Sequence, residues 1–277
     1  MEAFIHQGTS QIPRFFYGTA WKEERTATLT SDAIKAGFRA IDTANQRKHY
    51  FEEGVGAGIQ MTAVPRSELF LQTKFTYARG QDHRKPYKET DSFTQQVSDS
   101  FQSSLAHLHT DYLDSYVLHG PYGTEEISEE DMETWTAMEF FHEKKKTRFL
   151  GVSNVSAAQL RDLLDAVKIK PTFVQNRCYA SGGWDKEVRE ICKASGMLYQ
   201  GFSLLTANRS ELADEFITAL AQKYSRTVPQ IIFRFCQQVG MICLTGTTNP
   251  AHMKEDLNIS DFELSDSEVV KIEAIAF

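Results

Sequence analysis

Short apolar runs and amphipathic stretches alternate along the chain from near its start to near its end. Residues 15–20 read as a strand, and 23–36 as a helix stopped by Gly37. A second strand spans 39–44, and a helix starts at Phe51. Residues 69–75 make a third strand. A polar loop, 77–89, leads into a helix over 92–108, whose apolar positions Phe93, Val97, Phe101, Leu105 and Leu108 repeat at helical spacing. The fourth strand, 112–118, ends at His119. It precedes a helix over 129–146 with cations in its last turn, where the helix dipole favours them. Strand 149–152 pairs with helix 156–167, and strand 172–175 with helix 186–194. Strand 197–205 is followed by helical stretches 212–224 and 228–238, and strand 241–245 by helix 250–257.

Eight strand–helix repeats without a break in composition predict one α/β domain over residues 1–277, a (β/α)8 TIM barrel. An open doubly wound sheet is the runner-up, but no GxGxxG follows the first strand. The formal net charge of -7 argues against general nucleic-acid binding. The opening MEAFIHQGTSQIPRF lacks the basic flank and apolar run of a signal peptide, and no stretch is apolar enough to cross a bilayer. Cys178, Cys192, Cys236 and Cys243 are scattered in apolar contexts, which suits buried thiols rather than disulfides or zinc. A soluble, cytoplasmic protein is expected, a monomer or weak homo-oligomer, with no nucleic-acid or membrane partner.

In such a barrel the chemistry sits at the carboxyl ends of the strands. Those ends carry Gly18, Thr19 and Trp21, then Asp42, Lys74 and His119. Ser153 and Asn154, Gln175 and Asn176, Phe202 and Ser203, and the run TGTTNP (245–250) follow. A lysine ending an apolar strand is costly to bury unless paired, and Asp42 is its natural partner. A cation beside the phenol of Tyr50 would lower its pKa towards working pH, making it a proton donor. His119 would orient a carbonyl oxygen. This is chemistry for reducing an aldehyde or ketone with hydride from a cofactor. Taken singly, each residue has a plainer reading: a structural ion pair, a histidine in a turn, a packed aromatic. One acid and one histidine do not suggest a metal site.

Several segments resemble the aldo-keto reductase superfamily: FRAIDTA (38–44), ELFLQTKF (68–75), TDYLDSYVLHGP (110–121), RFLGVSNVS (148–156), FVQNRCY (173–179) and GTTNP…DFELS (246–265). The resemblance covers nearly the whole chain. It implies a catalytic tetrad of Asp42, Tyr50, Lys74 and His119, and NADPH, with NADH possible, lying across the barrel mouth. By the same resemblance Ser153, Asn154 and Gln175 hold the nicotinamide carboxamide, beside Gly18, Thr19 and Asp42. Phe202 stacks on the ring, Ser203 and Leu205 line the pyrophosphate path, and Thr247, Thr248, Asn249, His252 and Asp256 meet the adenosine phosphate. That last stretch also stands on its own: Asn249 is a good N-cap, Pro250 suits the first helical position, and a helix N-terminus favours an anion.

The chain departs from the family pattern in three places. The usual tyrosine comes five residues after the aspartate, where Arg47 stands; here Tyr50 comes eight after Asp42, and another register puts His49 at the donor position. The usual lysine and arginine of the 2′-phosphate site appear as Gly246 and His252. No long segment follows the last helix to cover the substrate. An open mouth rimmed by Trp21, the 45–49 turn and Tyr77 is expected, with Trp21, His49, Tyr50 and His119 meeting a broad or bulky carbonyl substrate. A cofactor-binding regulatory subunit, as in barrels of this superfamily that assist membrane channels, is the alternative function, and a metal-dependent hydrolase a third.

Overall fold

Parallel strands in a barrel are covered on both faces, and the strands of this chain are buried along most of their length, polar residues included. The computed structural model describes residues 4–8 and 10–277. The strands β3 (Phe15–Gly18), β4 (Ala40–Asp42), β5 (Phe70–Phe75) and β6 (Leu113–Leu118) are followed by β7 (Thr147–Ser153), β8 (Phe173–Arg177), β9 (Leu198–Phe202) and β10 (Ile242–Thr245). They run parallel and close on themselves, with β10 pairing both β9 and β3. The fold is a (β/α)8 barrel.

Helices α1 (Thr26–Ala36), α2 (Glu52–Gln60), α3 (Phe93–His107), α4 (Glu129–Glu143), α5 (Ala157–Ala166) and α6 (Lys186–Ala194) surround it. Beyond β9 come α7 (Arg209–Leu212), α8 (Glu215–Tyr224) and α9 (Val228–Gln238), then α10 (Pro250–Leu257) and α11 (Asp266–Glu273). The serines Ser92, Ser128, Ser156 and Ser265 cap four of these starts with side-chain hydrogen bonds.

An antiparallel hairpin that the pattern did not predict, β1 (Phe4–Gln7) and β2 (Ser10–Pro13), precedes β3. Its Ile12 is fully buried against Phe16, Ala40, Phe70, Phe173 and Ile242. The hairpin thereby fills the end of the barrel opposite the strand carboxyl ends, and the chemistry is left with one mouth.

Other boundaries differ for local reasons. The 23–36 helix opens as a 3-10 turn at Glu23–Arg25. The helix at 129–146 stops at Glu143, and Lys145 turns the chain with a φ of 57°, so the three lysines follow the last turn rather than sit in it. Strand 197–205 ends at Phe202 because Ser203 adopts a φ of 57°. The 212–224 stretch breaks at Asp214, whose side chain caps α8.

Helix α2 lies close against its neighbours through two glycines. A Cβ on Gly56 would fall 2.0 Å from the His107 carbonyl oxygen, and one on Gly58 2.4 Å from that of Ala27. This close approach sets the position of the turn that carries Tyr50.

Candidate active site

The buried amine and carboxylate come from neighbouring strands. Lys74 is fully buried, and Asp42 is 3% exposed. The Lys74 Nζ donates to Asp42 Oδ1 and Oδ2, both at 2.7 Å, and to the Thr43 carbonyl at 2.8 Å. All three ammonium protons are thereby used. Burial pulls the Lys74 pKa below the usual lysine value, against the attraction of Asp42.

Below this pair lies a feature absent from the sequence reading. Gln72 and Gln175 each donate to Asp42 Oδ1, at 2.7 and 3.0 Å, and to Gln200 Oε1, at 2.8 and 2.9 Å. Gln200 returns a bond to Gln72 Oε1 at 3.2 Å. The available signal was positional: Gln72 precedes Lys74 by two residues in an apolar strand, so both face the barrel interior.

Tyr50 comes back over Lys74 because residues 44–50 coil into a tight turn. Gln46 N–H donates to the Ala44 carbonyl at 2.8 Å, and Tyr50 N–H to the Gln46 carbonyl at 2.9 Å. The turn takes up the extra sequence spacing. The Tyr50 ring centroid lies 5.3 Å from Lys74 Nζ and 5.9 Å from the His119 ring. Arg47 instead lies over Phe51 at 4.2 Å, and His49 stacks on Trp21 at 4.0 Å.

The expected acidification of the phenol does not occur in this arrangement. Burial, then the Asp42 carboxylate, pushes the Tyr50 pKa above the ordinary tyrosine value. Burial is the larger cause, and the three ammonium protons of Lys74 are taken by Asp42 and the Thr43 carbonyl. His119 moves the other way: burial, with Lys74 and His49 nearby, pulls its pKa down to about 3, so the imidazole is neutral at working pH. Its Nδ1 lies 2.7 Å from Thr76 Oγ1. With the threonine hydroxyl donating, Nε2 keeps the ring proton.

Tyr50, His119, Asp42 and Gln175 line one cavity of about 1070 Å³. Gly18, Trp21, His49, Ser153, Asn154, Phe202, Ser203, Leu205, Thr247, His252 and Asp256 line it too. Trp21 stands at the rim, 68% exposed. Ser153 is nevertheless fully buried, its hydroxyl donating to the Gln175 carbonyl at 2.6 Å. Asn154 Nδ2 donates to the His119 carbonyl at 2.8 Å. Among the described residues, the amide oxygens of Asn154 and Gln175 remain unpartnered.

Several expected positions fall outside the lining, Lys74 among them, fully buried against Asp42. Thr19 is fully buried behind the lining, donating to the Asp42 carbonyl at 3.0 Å. Thr248 and Asn249 are exposed to its side, and Asn249 caps α10 by accepting the Ala251 N–H at 2.9 Å. Tyr77 is 4% exposed and donates to Asp131 Oδ1 at 2.9 Å, so it is no part of the rim. Asn45 is likewise turned away, donating to the Ser100 carbonyl at 3.0 Å. Hydrogen bonding drew both into the helical layer.

Fold and cluster together define a (β/α)8 barrel with titratable side chains gathered at one mouth. A sequence model of the Aldo/keto reductase family matches residues 7–276. The glyoxal reductase of Bacillus subtilis (strain 168) is 33% identical over 274 residues, which cover 98% of this chain and 91% of that protein. Among solved structures, an aldo/keto reductase from Brucella melitensis aligns with a TM-score of 0.83 at 29% identity, covering 96% of each chain. A Bombyx mori aldo-keto reductase in complex with NADP gives 0.79 at 27% identity, covering 96% of this chain and 90% of that one. This chain belongs to the aldo/keto reductase family and is an oxidoreductase.

Proposed function

We propose that this protein reduces an aldehyde or ketone to an alcohol, with hydride from a reduced nicotinamide dinucleotide and a proton from Tyr50. The observation that carries this reading is Tyr50 beside a neutral His119 in one cavity, with the buried Lys74 ammonium against the Tyr50 ring.

The residues present fit such a cofactor. The cavity is long enough in its lining to run from Tyr50 and His119 past Phe202 to Thr247 and α10. The open amide oxygens of Asn154 and Gln175 suit the NH2 of a carboxamide, and Phe202 offers an aromatic face. The capped N-terminus of α10 is a favourable end for an anion. Bound there, the nicotinamide supplies the hydride.

The chain's own residues do the rest. His119 Nε2 donates a hydrogen bond to the carbonyl oxygen and holds it beside the phenol. Tyr50, kept protonated by its burial, gives its proton to the oxygen as negative charge develops there. The phenolate left behind faces the Lys74 ammonium, which Asp42 and its glutamines hold in place. Trp21 and His49 stand at an open rim, which suits a broad or bulky carbonyl compound; a screen finding turnover of only the smallest aldehydes would count against that part.

The test is oxidation of NADPH and NADH with a panel of aldehydes and ketones. Tyr50→Phe is expected to lose about 10²–10⁴-fold in kcat with cofactor binding retained, and His49→Ala to keep most activity. Loss on His49→Ala alone would overturn the assignment.

A further inference from the structure

One charged group in the cavity wall has no task in the reaction described above. Arg177 ends β8, two residues beyond Gln175 on the same face of the strand, and lines the same cavity. Its side chain therefore stands one layer nearer the mouth than the amide that bonds Asp42. Its guanidinium carbon lies 5.7 Å from the centroid of Phe202, its partner in the parallel register of β8 and β9.

Among the described residues the Arg177 side chain, exposed at the strand end, makes neither a hydrogen bond nor an ion pair. That isolation is informative in an acidic chain with 37 Asp and Glu against 30 Lys and Arg. The other side-chain cation in the wall, Lys22, gives its amine to the Gly246 carbonyl. The Asp42 carboxylate is claimed by Lys74, and Asp256 accepts from Thr245 at 2.8 Å. A guanidinium resting on an aromatic ring has its planar fork oriented in advance, and its donors match the oxygens of a carboxylate or phosphate.

We propose that Arg177 is an oxyanion seat that fixes an acidic group of the molecule filling this cavity. Under the reductase reading, on which this assignment of sources rests, two molecules can present that group. One is a carbonyl substrate carrying a carboxylate. The other is the dinucleotide, through its diphosphate. In either case two charge-assisted hydrogen bonds form at the exposed edge of the cavity, so their strength should fall as salt rises.

Calorimetric titration of wild type, Arg177→Gln and Arg177→Lys separates the sources. NADP⁺ is titrated first; para-carboxybenzaldehyde and benzaldehyde are then titrated into the NADP⁺ complex, which has no hydride to give. A substrate seat predicts that Arg177→Gln weakens para-carboxybenzaldehyde by about 10-fold or more, with NADP⁺ and benzaldehyde unchanged. A cofactor seat predicts the same loss for NADP⁺, with the relative binding of the two aldehydes unchanged. Arg177→Lys should restore binding only in part, since a point charge replaces the fork. Arg177→Gln binding all three ligands within about two-fold of wild type would overturn the proposal. If wild type binds neither NADP⁺ nor NADPH, the reductase reading falls. Inorganic pyrophosphate and para-carboxybenzaldehyde then decide the seat alone: weaker binding to Arg177→Gln supports it, and equal binding overturns it.

Discussion

The two halves of the barrel mouth are built differently. On the β4–β6 side, every ammonium proton of Lys74 is bonded, Asp42 Oδ1 accepts from Lys74, Gln72 and Gln175, and His119 is held at Nδ1 by Thr76. On the β8–β10 side, Arg177 and the amide oxygen of Gln175 stand open to the cavity, and Phe202 presents its ring. The first half is complete before any ligand arrives, as electrostatic pre-organisation requires. The second half has the unfilled hydrogen-bonding capacity of a surface that waits for a partner. Substitutions on the two sides should therefore fail in different ways: the first in turnover and stability, the second in binding.

The largest effect should come from Lys74→Met, which leaves the Asp42 carboxylate buried and unpaired. We expect a loss of about 3–5 kcal/mol in chemical denaturation together with loss of turnover. Pairing it with Asp42→Leu should recover much of the stability and none of the activity. Recovery of both would place the pair outside the chemistry and erase the contrast between the halves. A smaller effect is expected for Thr76→Val, which frees His119 Nδ1. The kcat should fall roughly 10-fold while cofactor affinity, measured by fluorescence quenching, stays unchanged.

The smallest effect concerns the cofactor end. Gly246 contributes no side chain there, and Glu255 and Asp256 line the same cavity. NADPH and NADH should then bind within about 10-fold of each other. Burial pushes the Asp256 pKa up to about 6. Below that pH its carboxyl is neutral and repels a 2′-phosphate less, so the ratio of NADPH to NADH affinity should rise as pH falls through 6. A ratio independent of pH would remove Asp256 from cofactor choice.

How much of this was legible beforehand follows the same division. Asp42, Lys74 and His119 were readable because a charged residue that ends an apolar run must find a partner, and strand order brings the partners together. The glutamines under Asp42 were not, since glutamine in a strand carries no comparable penalty for standing alone. Tyr50 was readable ahead of His49, but the path that brings it over Lys74 was not, because the coil of residues 44–50 depends on backbone hydrogen bonds that no periodicity records. Tyr77 and Asn45 were misplaced for the same reason: their hydrogen bonds to Asp131 and to the Ser100 carbonyl, contacts distant in sequence, turn them from the mouth. The hairpin that plugs the barrel floor was missed because four-residue strands give too little alternation to register.

The most direct test of the account is the pH dependence of hydride transfer in a single turnover with an aldehyde and NADPH. A buried phenol as donor and a histidine that stays neutral down to about pH 3 predict a rate that is level from about pH 6 to 9 and falls only above the ordinary tyrosine range, near 10. A rate that falls as pH rises through the histidine range, with a step that lies below the ordinary imidazole value and is lost in His49→Ala, would show that a histidine gives the proton and would contradict the account.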